Sequence, residues 1–246
     1  MGSMYATVQS DGRPDTGSGM SASATALSPL PSGRHRLSPQ AVESNQRQRM
    51  LAAMATALEE HGYARVTVAH VLEGARVSRR TFYEQFADKD DCLLAAYEDA
   101  EQRIWARATA AAAAVPTGDW PARVRAALEA VLDFCAAEPT TARLFTLEAR
   151  AALPEVAACQ RRAVQRVAAS LRAGNGAGQP AGDLPEGTEL TLLANVAALV
   201  GAYVLSGATE LLPELSPQLG DHLLQPYRGV EGTGGPQASA AARGPR

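Results

Sequence analysis

Hydrophobic residues recur at spacings of three and four along residues 39–61. This period places one apolar stripe on a helix and leaves the other side polar. Gly62 follows the stripe, where a left-handed glycine commonly ends a helix. The pattern therefore predicts an amphipathic helix over 39–61, with an inward face made by Met50, Leu51, Met54, Ala55 and Leu58.

Three polar residues mark the starts of three further helices. Thr67, Ser78 and Asp88 each precede an apolar pattern, as the residue that caps a helix amino terminus does. Asp91, three residues after Asp88, adds a pattern like a capping box. The first two of these helices are short, and the third runs to about Val115. Their inward residues are Val68, Val71, Leu72, Phe82, Phe86, Leu93, Leu94, Tyr97, Ile104 and Ala108.

The rest of the chain is also helical in pattern, at about 119–137, 140–151, 154–173 and 187–209. No segment alternates apolar and polar residues over a strand length, so we predict an all-α fold. The Gly- and Pro-rich residues 174–185 predict a flexible loop, and residues 1–38 and 228–246 predict disordered tails. The predicted domains are a three-helix head over 39–90 and a helical body over 91–227.

The charge of the chain leaves nucleic-acid binding open. The formal net charge of the 246 residues is −3, but residues 34–90 hold nine Lys/Arg against seven Asp/Glu, a local balance of +2. Because DNA responds to clustered charge, an acidic body can carry a basic head. There is no apolar run of 18 residues and no secretory leader pattern, so we expect a cytoplasmic protein without a membrane partner.

Patterns typical of catalysis and metal binding are missing from the sequence. Cys92, Cys135 and Cys159 form no CxxC pair, and no histidine stands at a ligand spacing from a carboxylate or cysteine on one helix. There is no Gly-rich phosphate loop, GxSxG or HExxH. We therefore expect no metal, no cofactor and no enzymatic activity. An enzyme with a regulatory head is kept as an alternative.

Residues 67–94 have the layout of a helix-turn-helix. A short helix, a tight turn and a second short helix form this motif, and the second helix enters the DNA major groove. Arginine binds guanine edges or phosphates, and hydroxyl groups bind phosphates or bases. The predicted DNA contacts on the second helix are Ser78, Arg79, Arg80, Thr81 and Tyr83.

Two more DNA contacts are predicted at helix amino termini. Thr67 precedes a helix whose free N–H groups attract a phosphate. Lys89 lies in the first turn of the fourth helix, where its charge opposes the helix dipole, so a phosphate partner would explain it. Capping alone would also explain Thr67 and Ser78, and helix-turn-helix shapes occur in proteins that do not bind DNA.

Residues 46–97, roughly a fifth of the chain, contain a series of short motifs in a fixed order. They are His61-Gly62-Tyr63, Thr67 with Val71, Ala75-Arg76-Val77-Ser78, Thr81-Phe82-Tyr83, Phe86, Lys89 and Leu93-Leu94. In these motifs the segment resembles the DNA-binding head of the TetR family. The resemblance implies a homodimer bound to a DNA operator with two half-sites and released by a ligand. There are two departures: the family usually has glycine at Arg76, and often glycine or proline at Arg80.

The resemblance also places a ligand pocket inside the helices that follow the head. An apolar pocket there would suit a hydrophobic small-molecule effector. An aromatic residue in such a helix is more often a core residue than a pocket residue. The candidate pocket residues are Trp105, Trp120, Phe134, Cys135, Leu144, Phe145, Glu148 and Tyr203.

Two helices are candidates for the dimer interface, at 156–171 and 190–205. The second is apolar nearly all round, so it must be buried on most sides, in a core or against a partner. The resemblance favours a four-helix bundle formed with the second subunit. The candidate interface residues are Val164, Val167, Leu171, Leu193, Val196, Leu199 and Val200.

Together these patterns predict a ligand-responsive DNA-binding regulator. The favoured form is a repressor that binds a palindromic operator as a dimer and is released by a small molecule. The alternative is a DNA-binding activator or architectural protein without a small-molecule ligand. An enclosed cavity in the body would favour the first form.

Overall fold

The computed structural model describes residues 38–145, 153–175 and 184–228. All regular structure within these ranges is helical and none of it is strand, which confirms the all-α prediction. Three 3-10 turns lie at Arg143–Phe145, Thr209–Leu215 and Gln225–Tyr227. The described α-helices are α1 (Pro39–His61), α2 (Val68–Ala75), α3 (Arg79–Gln85), α4 (Lys89–Ala114), α5 (Trp120–Ala137), α6 (Pro139–Ala142), α7 (Pro154–Asn175), α8 (Thr188–Ser206) and α9 (Ser216–Leu224).

Side-chain caps start α2, α3 and α4 where the sequence predicts them. The side-chain oxygens of Thr67, Ser78 and Asp88 accept hydrogen bonds from backbone N–H groups two or three residues later, over 2.9–3.4 Å. Asp91 accepts a bond from the N–H of Ala87 at 2.9 Å. This reciprocal bond therefore reaches one residue further back than in the capping box that the pattern predicts.

The two turns of the head contain residues with positive φ. Gly62 ends α1 with φ 68° and ψ 151°, so its φ is positive as predicted but its ψ lies outside the left-handed helical region. Arg76 ends α2 in the left-handed region, with φ 52° and ψ 50°, and is the only non-glycine residue with positive φ in the described ranges. A side chain there costs on the order of 1 kcal/mol.

The three helices of the head and the first half of α4 share one hydrophobic core. Its largest fully buried side chains are Met50, Met54, Phe82, Leu93 and Tyr97. The same core takes in residues of the body, namely Leu144, Leu153, Val156 and Cys159. The head is therefore packed directly against the body, and the domain boundary predicted at residue 90 lies within the first turn of α4.

A second core fills the other half of the body. It lies between α5, α8, α9 and the 3-10 turn before α9, and its buried residues include Leu132, Phe134, Val204, Leu212 and Leu223. The sequence did not predict α9, because its nine residues mix polar and apolar positions and are too few for a helical period to be recognised. The core therefore depends on an element that only the fold reveals.

Two predicted helices have different bounds in the structure. The helix predicted over 187–209 ends at Ser206, because Gly207 adopts a left-handed conformation with φ 76° and ψ 15°. The helix predicted over 140–151 begins as the single turn α6 and continues as a 3-10 turn to Phe145. Residues 146–152 lie outside the described ranges, as do nearly all of both predicted tails and the centre of the predicted loop.

One side of α8 is apolar and exposed. This helix is long and apolar enough to cross a membrane by length and composition. Only 17% of its most apolar window is buried inside the chain, so most of that window is not covered by other parts of the protein. Residues at helical spacing form an outward stripe, which we call the α8 stripe. It consists of Leu190, Ala194, Ala198, Ala202 and Leu205.

A buried carboxylate joins three parts of the body. Glu189, at the start of α8, is 2% exposed and accepts bonds from Arg172 Nε at 3.0 Å and Nη2 at 2.5 Å. The hydroxyl of Tyr227 donates to the same carboxylate at 3.3 Å. The hydrogen bonds from Arg172 are the largest cause that holds the pKa of Glu189 below its ordinary value of 4.5. Glu189 is therefore ionised at neutral pH and links α7, α8 and the last 3-10 turn.

We expect Arg172→Met to lower the free energy of unfolding by about 1–2 kcal/mol near pH 7, because Glu189 would stay buried without its cation. The loss is at the low end for a buried polar group because the Arg172 side chain is 56% exposed. Because the folded-state pKa of Glu189 is lowered, the stability from this pair is present above the unfolded value of 4.5 and is lost as pH falls through the folded value.

Urea denaturation of wild type and variant near pH 7 and near pH 4, at one protein concentration, measures this effect. The control is Arg161→Met on the same helix, because Arg161 is exposed and has no partner among the described residues. We expect the control to change stability by less than about 0.5 kcal/mol. A loss for Arg172→Met that does not shrink on acidification would contradict the role of this pair.

Candidate nucleic-acid interface

The helix α3 lies on the surface of the head with its apolar side in the core. Phe82 is 0% exposed and Phe86, directly after the helix, is 2% exposed. The opposite side of α3 exposes Arg79, Arg80 and Tyr83, whose side chains were all predicted to contact DNA. Tyr83 is 50% exposed and its ring stands edge-on to Phe82 at 5.4 Å. These three predicted contacts therefore lie on one exposed surface.

Ser78 and Thr81 stand at the amino end of this surface and bind each other. Their hydroxyl oxygens are 2.9 Å apart, and the Ser78 oxygen also accepts the N–H of Thr81 at 3.0 Å. The helix cap alone accounts for a serine at this position. One of the two hydroxyl protons remains available to a phosphate oxygen, because only one is needed between the two side chains.

An acidic residue, Glu84, stands among the exposed arginines of α3. Its carboxylate accepts a hydrogen bond from Arg80 Nε at 2.8 Å, and the Arg80 side chain is 88% exposed. This hydrogen bond raises the pKa of Arg80 further above its ordinary value. Arg80 was predicted as a DNA contact, whereas its partner Glu84 was not predicted. Opposite charges four residues apart on a helix indicate such an ion pair from the sequence.

Lys89 is half-buried and bonds to other parts of the head. Its Nζ donates to the backbone oxygens of Tyr63 and Val66, both at 3.3 Å, and lies 4.3 Å from the centre of the Tyr63 ring. The Tyr63 hydroxyl donates to Asp90 at 2.8 Å, and burial together with Asp90 raises the pKa of Tyr63 to about 12. Lys89 thus ties the α1–α2 loop to α4, which explains a lysine at this helix start without a phosphate.

Thr67 remains accessible at the amino end of α2. The residue is exposed, and its cap bond to the N–H of His70 is long, at 3.4 Å. The first N–H groups of an α-helix have no intrahelical partners, so those at the start of α2 are open to a further acceptor. A phosphate contact at Thr67 therefore stays a prediction that the local geometry permits.

The helix α1 supports the carboxyl end of α3. The Gln85 side chain donates to Glu43 at 2.9 Å and accepts from Arg47 at 3.4 Å. The Arg47 guanidinium also lies 4.6 Å from the centre of the Phe86 ring. A surface groove of about 590 Å³ runs between α1 and α3 beside these residues and includes Thr81 and Glu84 in its lining.

The predicted pocket residues are distributed over two cores. Leu144 and Phe145 belong to the core that the head and body share, whereas Phe134, Cys135 and Tyr203 belong to the second core or its edge. Burial raises the pKa of Cys135 to about 11, so this thiol stays protonated and apolar at neutral pH. Glu148 lies outside the described residues.

The tryptophans and Phe134 contact arginines or another ring rather than an open space. Trp105 lies under the Arg166 guanidinium at 4.2 Å, and Trp120 stands edge-on to Tyr227 at 4.9 Å. The guanidinium groups of Arg103 and Arg107 lie 5.2 and 4.7 Å from the ring of Phe134. A second groove, of about 520 Å³, lies between α8 and α9, and neither groove is lined by a predicted pocket residue.

The predicted interface residues of α8 lie on two different sides of the helix. Leu193, Val196 and Val200 pack partly against the second core, whereas Leu199 is 38% exposed. Leu190 and Leu205, which were not predicted as interface residues, are 43% and 51% exposed. Because α8 is apolar nearly all round, its sequence carries no signal that separates these sides. On α7, Leu171 is 7% exposed, and Val164 and Val167 are half-buried.

Within the described residues no three His, Cys, Asp or Glu side chains are grouped as metal ligands. Burial raises the pKa of Cys92 to about 12, so this cysteine is also protonated at neutral pH. The described side chains therefore offer an exposed cationic helix rather than a metal centre.

Residues 50–96 match the family model for bacterial regulatory proteins of the tetR family. The match begins within α1, covers α2 and α3, and ends within α4, so it contains the whole helix-turn-helix. There is no significant match among curated protein sequences.

Solved structures of TetR-family regulators share the fold over most of their length. The fatty acid degradation regulator FadR from Bacillus halodurans is 17% identical with a TM-score of 0.63, covering 80% of this chain and 99% of that chain. A regulatory protein of the tetR family from Rhodococcus RHA1 is 18% identical with a TM-score of 0.57, covering 72% and 96%. A TetR family transcription regulator from Marinobacter aquaeolei VT8 is 19% identical with a TM-score of 0.54, covering 71% and 94%. These likenesses confirm the fold that the resemblance predicts.

We expect Glu84→Gln to strengthen binding to any duplex DNA, by roughly threefold or more at low salt. The substitution removes a negative charge from the exposed side of α3 and releases Arg80, which can then neutralise one more phosphate. The slope of log affinity against log salt should steepen by up to about 0.9. Fluorescence anisotropy with a labelled non-specific duplex at several salt concentrations measures both quantities.

The control is Glu129→Gln, which makes the same charge change at an exposed position of α5 in the body. We expect it to leave the affinity and the salt slope nearly unchanged. Equal effects of the two substitutions would show that only net charge matters, and would remove the argument that α3 faces DNA.

Proposed function

We propose that this chain, a TetR-family protein by its amino-terminal module and its fold, is a transcription regulator that binds an operator as a homodimer and responds to a small molecule. The observation that carries the proposal is the surface of α3, where Arg79, Arg80 and Tyr83 are exposed while Phe82 is buried in the core. Of the two regulatory forms, we favour a repressor that its ligand releases from DNA.

Arg79 is the residue that we expect to read a base. It is the first residue of α3, is exposed and has no partner among the described residues, whereas Arg80 is bonded to Glu84. The first residues of a recognition helix contact base edges in the major groove, and arginine to guanine is the commonest specific contact. Tyr83 and Thr67 would then bind phosphates and set the orientation of the head on the duplex.

We expect Arg79→Ala to weaken binding to the operator by roughly 5- to 150-fold, which corresponds to about 1–3 kcal/mol for one bidentate base contact. The measurement is fluorescence anisotropy with DNA from upstream of the gene, at two salt concentrations. Arg161→Ala, the loss of an exposed arginine of α7, is the control and should leave affinity within about twofold. Binding that neither depends on DNA sequence nor weakens in Arg79→Ala would overturn the proposal.

The α8 stripe supports the homodimer. A monomer would leave Leu190 and Leu205 of this stripe in water, and exposed apolar patches of this kind mark an interaction surface. The alanines between them allow the backbone of a second helix to approach closely. Paired through this side of α8, two subunits could present their α3 helices to major grooves about 34–36 Å apart on one palindromic operator.

We expect Leu205→Glu, within the α8 stripe, to convert the dimer into a monomer and to reduce operator affinity at the same time, because a carboxylate in a closed apolar interface is left without a partner. Size-exclusion chromatography with light scattering measures the mass. Leu211→Glu, which places the same charge on an exposed apolar position of the 3-10 turn before α9, is the control. A wild-type monomer would contradict the dimer. Purification only with detergent would instead favour a membrane role for α8.

Direct contacts between the head and the body support a response to a ligand. Glu59 of α1 accepts a hydrogen bond from Thr140 at 2.7 Å and lies 3.8 Å from Arg143. Arg143 also donates to the backbone oxygen of Val204, on α8, at 3.2 Å. A ligand that binds one arrangement of the body more tightly would therefore bias the position of α1, and so the separation of the two heads.

The effector that we propose is a hydrophobic or amphipathic small molecule. The Bacillus halodurans protein is named as a regulator of fatty acid degradation. At 17% identity this name does not identify the effector of the present chain. A long-chain fatty acid is nevertheless a suitable first probe of the proposed chemical class. It should raise the melting temperature and release DNA in the anisotropy assay. Failure of a broad hydrophobic panel would favour a regulator or architectural protein without a small-molecule ligand.

A further inference from the structure

The turn between α2 and α3 has a backbone conformation that its sequence does not favour. Arg76 adopts a left-handed conformation with φ 52° and ψ 50°, where an amino acid with a side chain is strained. Only residues 76–78 separate the two helices, so the conformation of this one residue sets the direction in which α3 leaves the turn.

Arg49, on α1, binds the backbone of this turn. Its Nη2 donates to the backbone oxygen of Ala75 at 2.6 Å and to that of Arg76 at 3.1 Å. The last carbonyl groups of a helix lack intrahelical partners, so the guanidinium supplies hydrogen bonds that the end of α2 would otherwise lose. The bonded residues are 26 and 27 positions apart in the sequence, so this is a tertiary contact.

The packing of α1 on α2 brings Arg49 within reach of the turn. A Cβ atom on Gly74 would lie 3.1 Å from the Cβ of Ala53, which stands one helical turn after Arg49 on α1. The missing side chain at Gly74 therefore permits the close approach. The Arg49 Nε is buried without a hydrogen-bond partner among the described residues, an unsatisfied donor that lies beside the two bonds made by Nη2.

We propose that Arg49 is a positioning residue for DNA binding, which holds the α2–α3 turn in its left-handed conformation and thereby orients the Arg79 and Tyr83 side chains of α3. The proposal rests on the proposed function, because it assigns Arg49 a role in DNA recognition by the same surface. Arg47 acts at the other end of α3 through Gln85 and Phe86. The helix α1 therefore holds the short recognition helix at both ends.

The clearest test pairs Arg49→Met with Arg76→Gly. Arg49→Met removes both hydrogen bonds to the turn, and Arg76→Gly removes the strain that these bonds oppose, because glycine adopts the left-handed conformation freely. If Arg49 positions α3, the double variant should recover much of what Arg49→Met loses. Arg49→Lys serves as a second variant, because it keeps the charge and loses the planar geometry that reaches two carbonyl oxygens.

The readout is the ratio of affinities for the upstream duplex and a scrambled duplex, measured by anisotropy at several salt concentrations. We expect Arg49→Met and Arg49→Lys to lower this ratio by roughly tenfold or more, with an unchanged salt slope, and the double variant to restore it to within about threefold. Arg161→Met, in the body, should leave the ratio unchanged. Loss of one phosphate contact, seen as a salt slope reduced by about 1 without rescue by Arg76→Gly, would overturn the proposal in favour of direct DNA contact by Arg49.

A second readout does not require DNA. Hydrogen–deuterium exchange of residues 76–86 should speed up in Arg49→Met and return towards the wild-type rate in the double variant. If wild type shows no preference for the upstream duplex but the exchange data behave in this way, the proposed function fails and the structural hold on the turn stands. If wild type is sequence-specific and neither the affinity ratio nor the exchange responds to Arg49→Met, the Arg49 proposal fails and the proposed function stands.

Discussion

The burial of Phe82 and Phe86 is the interaction on which the candidate DNA surface depends. An isolated helix as short as α3, with seven residues, is unstable in water. Each buried aromatic side chain contributes about 1.5–3 kcal/mol when it leaves water, so two of them can hold this helix against α1 and α4. Because these rings occupy one side of α3, the remaining side chains must face outward. The exposed cations of the surface are thus a consequence of the core beneath them.

Polar contacts fix the loops and helix ends of the head. Lys89 donates to a backbone oxygen of the α1–α2 loop, and Arg47 donates to Gln85 and lies over the Phe86 ring at the end of α3. In the body, Glu189 and Arg172 perform a comparable task between longer helices. None of these contacts is a strong source of stability on its own. Each one selects a single geometry among several that the apolar core would permit, and a surface that reads DNA requires one geometry.

Contacts that cross between head and body give the molecule a route for regulation. Leu144 and Val156 of the body lie in the same hydrophobic core as the residues of the head, so the packing of the two parts is coupled. Arg143 lies between Glu59 on α1 and the backbone of Val204 on α8. A change in the arrangement of the body, or in the pairing of α8 with a second subunit, would therefore reach α1, which supports both ends of α3.

The sequence by itself determined the features that depend on neighbours three or four residues away, because periodicity and capping act over that distance. These features are the helical class, the caps at Thr67, Ser78 and Asp88, and the exposed positions Arg79, Arg80 and Tyr83. Tertiary structure alone decided the internal bonds of Lys89, the hold of Arg49 on Ala75 and Arg76, the helix α9 and the exposed side of α8. These features join residues far apart in the chain or depend on which side of an element meets a neighbour. No local pattern records such a choice, because the partner is selected by packing and becomes defined only when the chain has folded.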